Sequence, residues 1–152
     1  MKLVVIIPFY NEEKYLAECI GSFVQQTRTP DLLILVDDSS TDKGTDIAKT
    51  LAATHSFIQY HRKQSDPGRI PGAKPIHAFH HGLDQIEDFD LIGKFDADVV
   101  LPLHYFEKAM QAYRVNPNLG MFSGHLYIQK QHLWIYEAVA DKNHIRGPIK
   151  LY

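Results

Sequence analysis

Residues 96–98 of this chain read Asp-Ala-Asp, directly after an apolar run, Leu91-Ile92-Gly93-Lys94-Phe95, with the makeup of a buried strand. Two carboxylates one residue apart, just past a strand end, add nothing to a core. They are well placed to hold a hard divalent cation such as Mg2+ or Mn2+, which takes oxygen ligands and often completes its shell with substrate phosphates. A second acidic run, Asp37-Asp38-Ser39-Ser40-Thr41-Asp42, follows the apolar residues 32–36. A third polar run, Pro8-Phe9-Tyr10-Asn11-Glu12, follows residues 3–7. An N-capped helix start explains Thr41 or Asp42, but it leaves Asp37 without a role.

Two further groups could do chemistry. The segment Gly68-Arg69-Ile70-Pro71-Gly72-Ala73-Lys74-Pro75 places two cations, Arg69 and Lys74, in a loop rich in glycine and proline, where either a solvated loop or an anion contact is in keeping. His77 and His81 have the i, i+4 spacing of ligands on one helix face, with His80 beside them. They lack the first glutamate of a zinc-protease motif, which weakens the metal-site reading.

These residues need a scaffold that brings them together. Apolar, β-branched runs at 3–7, 32–36, 57–61, 91–95 and 121–128 read as strands. Helical patterns fall between them at 11–26, from Thr41 or Asp42 through Ala52, and at 76–86 and 102–113. Asn11 is the expected N-cap of the first. A weaker helical pattern covers 133–139, and the closing residues Gly147-Pro148-Ile149-Lys150-Leu151-Tyr152 look like the start of a strand. Alternating strands and helices predict βαβ units around a mainly parallel sheet covered on both faces, an α/β fold. In such a sheet ligands bind beyond the carboxyl ends of the strands, so all three polar runs are expected on one rim.

Composition narrows the possibilities. One domain spanning residues 1–152 is expected, with a real core. A net charge of -2 leaves no electrostatic footprint for nucleic acid. The single cysteine, Cys19, rules out an internal disulfide and suits a reducing, cytoplasmic setting. No run reaches the roughly 18 apolar residues of a membrane helix, although peripheral contact with the inner face of a membrane stays open.

The segments VVIIPFYNEEKYL, LLILVDDSSTDKGTDIA and IGKFDADVVLP resemble family 2 of the glycosyltransferases, with its Rossmann-like, three-layer αβα GT-A fold. The likeness runs from about residue 3 to 128, with serine at 39 where glycine is common. It implies metal-dependent transfer of a sugar, with inversion, from a nucleotide sugar, most expectedly a UDP-sugar, to a saccharide or lipid-linked acceptor, as in polysaccharide biosynthesis. By that resemblance Pro8, Tyr10 and Glu12 flank the nucleoside, and Asp37 and Asp38 are the acidic pair that binds base or ribose. Lys74 approaches the diphosphate. Asp98 is the direct ligand of Mn2+ or Mg2+, and Asp96 contacts ribose or donor sugar and helps to hold the metal. The resemblance also puts the acceptor base beyond Tyr152, so the chain is expected to be cut short; Glu137 and Asp141 match no motif for that role. Rival readings are a non-catalytic nucleotide-sugar-binding fragment or paralogue, and a polyprenyl-phosphate sugar synthase, whose anionic acceptor needs no base. A receiver domain would end its first strand, not its second, on the acidic pair. A sugar nucleotidyltransferase would open on a glycine-rich loop.

Overall fold

The computed structural model describes residues 1–64, 74–138, 141 and 144–152. Four strands come first in parallel: β1 (Leu3–Phe9), β2 (Leu32–Asp37), β3 (Ile58–Arg62) and β4 (Leu91–Phe95). Between and after them run helices α1 (Leu16–Val24), α2 (Gly44–Thr54), α3 (Lys74–Leu83) and α4 (Tyr105–Val115). The chain continues through a hairpin, β5 (Tyr127–Lys130) and β6 (Leu133–Tyr136), to β7 (Ile149–Leu151). The main sheet has the order β3-β2-β1-β4-β7, and only β7 is antiparallel, pairing Phe95 with Ile149.

β1 is the centre because it can be buried on both faces: Leu3, Val4, Val5, Ile6 and Ile7 have no exposed surface. Successive side chains of a strand point to opposite faces. Leu3, Val5, Ile7 and Phe9 thus join the larger core with α1, α2 and α4, while Val4 and Ile6 join Ile34, Val36 and Ala78 under α3. The result is the three-layer arrangement expected. α3 lies close to the sheet at Gly82, where a Cβ would come 2.8 Å from Ile6 Cγ2 and 3.0 Å from Val36 Cγ2. On the other face Phe23, Phe95 and Phe106 meet edge to face or tilted, with centroids 5.3–5.7 Å apart, a favoured aromatic geometry. Buried Gln26 joins the ends of α1 and α4: its amide donates to the Ser22 and Pro102 carbonyls and accepts from Phe106 N–H.

Four expectations need correction. The strand expected at 121–128 is a single bridge, Phe122 to Leu151, followed by β5. The helix expected from residue 133 is strand β6. Leu133, Trp134, Ile135 and Tyr136 are aromatic or β-branched for the most part, and Lys130 pairs with Leu133 around Gln131 and His132 at φ 47° and 67°. Two left-handed residues make the tight hairpin turn usually written with Asn-Gly, and this chain writes it without either. Asn11 does not cap α1, which begins at Leu16. Of the loop-like stretch from Ser65 to Pro75, residues 65–73, with Arg69, lie outside the described residues, while Lys74 and Pro75 open α3 rather than belonging to a loop.

Candidate functional site

The order β2-β1-β4 puts the carboxyl ends of the three motif-bearing strands side by side. The first two polar runs are laced together by backbone-to-side-chain bonds. Asn11 N–H donates to Ser40 Oγ (3.0 Å), and Thr41 N–H returns one to Asn11 Oδ1 (2.8 Å). Glu13 N–H donates to Asp42 Oδ2 (2.8 Å), and Lys43 N–H to Glu13 Oε2 (3.0 Å). Asp42 Oδ1 takes Gly44 N–H at the start of α2 (2.9 Å). Two rim residues, Asn11 (φ 55°) and Ser39 (φ 66°), are left-handed. That backbone explains why position 39 suits glycine; here Ser39 Oγ also donates to the Lys63 carbonyl (2.8 Å).

Asp37 lies behind this rim, with no exposed surface. Its Oδ1 accepts from Ser40 N–H (2.7 Å), and its Oδ2 from Thr45 Oγ1 (2.6 Å), Tyr60 Oη (2.9 Å) and Arg62 Nη1 (3.0 Å). Burial alone would push this carboxyl up. The hydrogen bonds from Thr45, Ser40 and Tyr60 outweigh burial and hold it below its usual range. Asp38 is nearly buried, with Lys63 Nζ 3.5 Å from Oδ1. Thr45, Tyr60 and Arg62 were not singled out in the sequence. The signal for one of them was register: Asp37 and Arg62 are paired residues of β2 and β3.

Tyr10 is exposed beyond β1, and Lys74 at the start of α3 holds its ammonium 4.7 Å from the ring centroid, within cation–π range. Pro8 is half-buried in the last part of β1. Glu12 is half-buried, and its carboxyl is pushed up, first by burial and then by the charges of Asp98, Asp42 and Asp96. Those charges act on Glu12 across the rim, so the first and third polar runs converge. Asp96 is half-exposed and ion-paired with Lys94, Ala97 is buried, and Asp98 is exposed and takes no hydrogen bond from the described residues. Beneath the turn, Cys19 Sγ lies 3.7 Å from the Asp96 carbonyl oxygen; burial pushes the thiol up to about 12, so it serves as packing.

Among the described residues no three His, Cys, Asp or Glu side chains lie close enough to form a metal cage. His77, His80 and His81 therefore form no such site there. Asp98 and Asp96 nevertheless fit a hard cation of the kind that takes one or two carboxylates and draws its other ligands from phosphate and water.

The sheet order and helix layers define a GT-A fold, which solved structures share. PcManGT, a mannosyltransferase from Pyrobaculum calidifontis in complex with GDP-Man and Mn2+, superposes with a TM-score of 0.67 at 17% identity, over 99% of this chain and 44% of its own. S. aureus TarS in complex with UDP-GlcNAc gives 0.61 at 24% identity, over 77% and 32%. In sequence, residues 4–140 match the model of glycosyl transferase family 2, and the chain belongs to that family. Glycosyltransferase GlyA of Streptococcus pneumoniae is 34% identical over 152 residues, which cover 91% of this chain and 21% of GlyA. The chain thus spans about a fifth of that relative's length.

Proposed function

We propose that this chain carries the donor site of an inverting, metal-dependent glycosyltransferase acting on a nucleotide sugar. The observation that carries the proposal is the sheet order β2-β1-β4, which sets Glu12, the Asp37-Asp38 run and Asp96 to Asp98 at neighbouring strand ends. Asp98, exposed and without a hydrogen bond from the described residues, next to Asp96 at the same strand end, suits a ligand that arrives with a cation. The fold's neighbours hold GDP-Man with Mn2+ and UDP-GlcNAc, which supports a nucleotide-sugar donor, and a UDP-sugar is the working expectation.

In this reading Asp98, the freer carboxylate, holds Mn2+ or Mg2+, and Asp96 contacts the ribose or donor sugar in exchange for Lys94. The cation, when bound, neutralises charge that builds on the leaving diphosphate. Tyr10 and Lys74 form the wall over the nucleoside and its phosphates, with Pro8 and Glu12 beneath. Asp37, expected with Asp38 as the pair on base or ribose, has no exposed surface and gives its oxygens to Ser40, Thr45, Tyr60 and Arg62; in this reading it acts from behind, holding the loop that presents Asp38 to the nucleoside. Transfer joins the acceptor oxygen to the anomeric carbon from the face opposite the diphosphate. The anomeric C–O bond breaks toward the diphosphate, which keeps the electron pair, and a base takes the acceptor proton.

A thermal-shift screen of UDP, GDP, dTDP and CDP with Mn2+ tests the proposal. A ligand of the native state stabilises by about 2.7 kcal/mol at a hundredfold excess over its dissociation constant. One nucleotide should raise the midpoint with Mn2+ and lose that rise with EDTA. A folded chain that answers to none of them contradicts the proposal.

A further inference from the structure

Strand β4 carries one charged residue, Lys94, among Leu91, Ile92, Gly93 and Phe95. Its neighbour in register on β1 is Ile6, which has no exposed surface. Directly opposite on β7 stands Lys150. Phe95, Ile149 and Leu151 belong to the larger core, so by the alternation of side chains Lys94 and Lys150 share the other face of the sheet. Like charges placed opposite each other on antiparallel strands destabilise the pair. The Lys94 side chain keeps only 20% of its surface exposed, and burying a charge is costly unless it is paired. Its partner is Asp96, two residues on. Among the described residues no second carboxylate pairs with either lysine. The backbone of the turn is held as well: Asp96 N–H donates to the Pro148 carbonyl just before β7 (2.9 Å). The acidic turn therefore comes with a cation of its own.

Resting on the transferase reading above, we propose that Lys94, backed by Lys150, is a positioning residue that keeps Asp96 from the divalent cation until a diphosphate is present. The two lysines balance Asp96 and Asp98 in charge, so the turn alone draws a dication weakly. An Mn2+ ion arriving by itself at Asp98 recruits Asp96 only by displacing Lys94. The freed ammonium then faces both the dication and Lys150, with no anion to take it. A nucleoside diphosphate removes that penalty. Its oxygens complete the shell of the cation and give the ammonium a new anionic partner. Lys94 exchanges one anion for another, and Asp96 is released to the cation and the donor. Cation and nucleotide are thereby coupled through Lys94: each binds weakly alone and more tightly with the other.

The test reads the ratio of Mn2+ affinities with and without the nucleoside diphosphate that responds in the thermal screen, from the electron paramagnetic resonance of free Mn2+. In the parent the ratio should be at least tenfold. In Lys94→Met, Mn2+ alone should bind about threefold to tenfold more tightly, with no matching gain in the presence of nucleotide, so the ratio falls. Lys94→Arg should restore it, and Lys150→Gln should lower it by less than Lys94→Met. Linkage requires the gain in nucleotide affinity caused by Mn2+ to fall by the same factor, which a titration of nucleotide with and without Mn2+ checks independently. If Lys94 only stabilises the strand, Lys94→Met lowers the melting midpoint and leaves the ratio alone. If it is only a background charge, both Mn2+ affinities rise alike. A parental ratio in folded Lys94→Met therefore overturns the proposal. Should Lys94→Met not fold, Lys150→Gln decides, and a parental ratio there overturns it. A parent that answers to no nucleotide, or binds nucleotide and Mn2+ independently, sinks the donor reading and this proposal with it. A coupled parent with an unchanged Lys94→Met ratio sinks this proposal alone.

Discussion

The Asp37 carboxylate accepts hydrogen bonds from Ser40, Thr45, Tyr60 and Arg62 and has no surface of its own. Replacing it with Asn leaves Arg62 without its ionised partner. Arg62 is half-exposed and can turn to water, so the expected loss is about 2–3 kcal/mol. The pH dependence has a definite sign. A carboxyl held below its usual 3.8 in the folded state stabilises fully above that value and loses its contribution as pH falls through the folded-state value. The gap between parent and Asp37→Asn in urea unfolding should therefore be full at pH 7 and shrink below about pH 4; a gap that does not change with pH would place the effect elsewhere. Ser39, at φ 66° with its hydroxyl bonded to the Lys63 carbonyl, sets two terms against each other. Glycine loses the bond but removes left-handed strain, whereas alanine loses the bond and keeps the strain. Ser39→Gly should stay within about 1 kcal/mol of the parent and melt above Ser39→Ala. The reverse order would mean that strain at 39 is negligible.

At the scale of elements, α3 depends on a missing side chain. A Cβ at Gly82 meets Ile6 and Val36 of the central strands at 2.8 and 3.0 Å, and neither strand can retreat. Gly82→Val should cost about 1–3 kcal/mol and lower the melting midpoint by roughly 2–4 °C for each kcal/mol in a domain of this size. A midpoint equal to the parent's would show that α3 lifts from the sheet without penalty. The elements of the βαβ part were legible because their apolar runs are continuous and their helices amphipathic. Their starts were less so. Asn11 looked like a helix cap, and instead its side chain takes Thr41 N–H from a neighbouring loop 30 residues away. The hairpin was misjudged because a four-residue strand such as Leu133-Trp134-Ile135-Tyr136 has too few positions to separate a period of 2 from one of 3.6. Its turn, Gln131-His132, also carries no glycine or asparagine. The final strand was legible as apolar residues, but its antiparallel place beside β4 came from tertiary pairing.

For the whole molecule, sheet order does what no single motif can. It brings residues 12, 37 and 96–98 to neighbouring strand ends. That meeting was foreseeable from the rule that open α/β sheets bind ligands at the carboxyl ends of their strands. The commitment of Asp37 to Thr45, Tyr60 and Arg62 was not foreseeable, because it depends on the register of β2 against β3. The meeting of Lys94 with Lys150 was hidden for the same reason: it rests on the antiparallel register of β4 against β7.

The central claim is that Asp98 and Asp96 hold a cation together with a nucleotide's phosphates, with Asp98 as the principal ligand. Electron paramagnetic resonance of free Mn2+, titrated with the chain, tests it most directly. Two carboxylates alone make a weak site, whereas a diphosphate adds further oxygen ligands. Mn2+ should therefore bind weakly without nucleotide and at least tenfold more tightly once the responding nucleoside diphosphate has saturated the protein. In Asp98→Ala that tightening should vanish, while the nucleotide alone still binds. A variant that keeps the same nucleotide-dependent Mn2+ affinity as the parent would contradict the account.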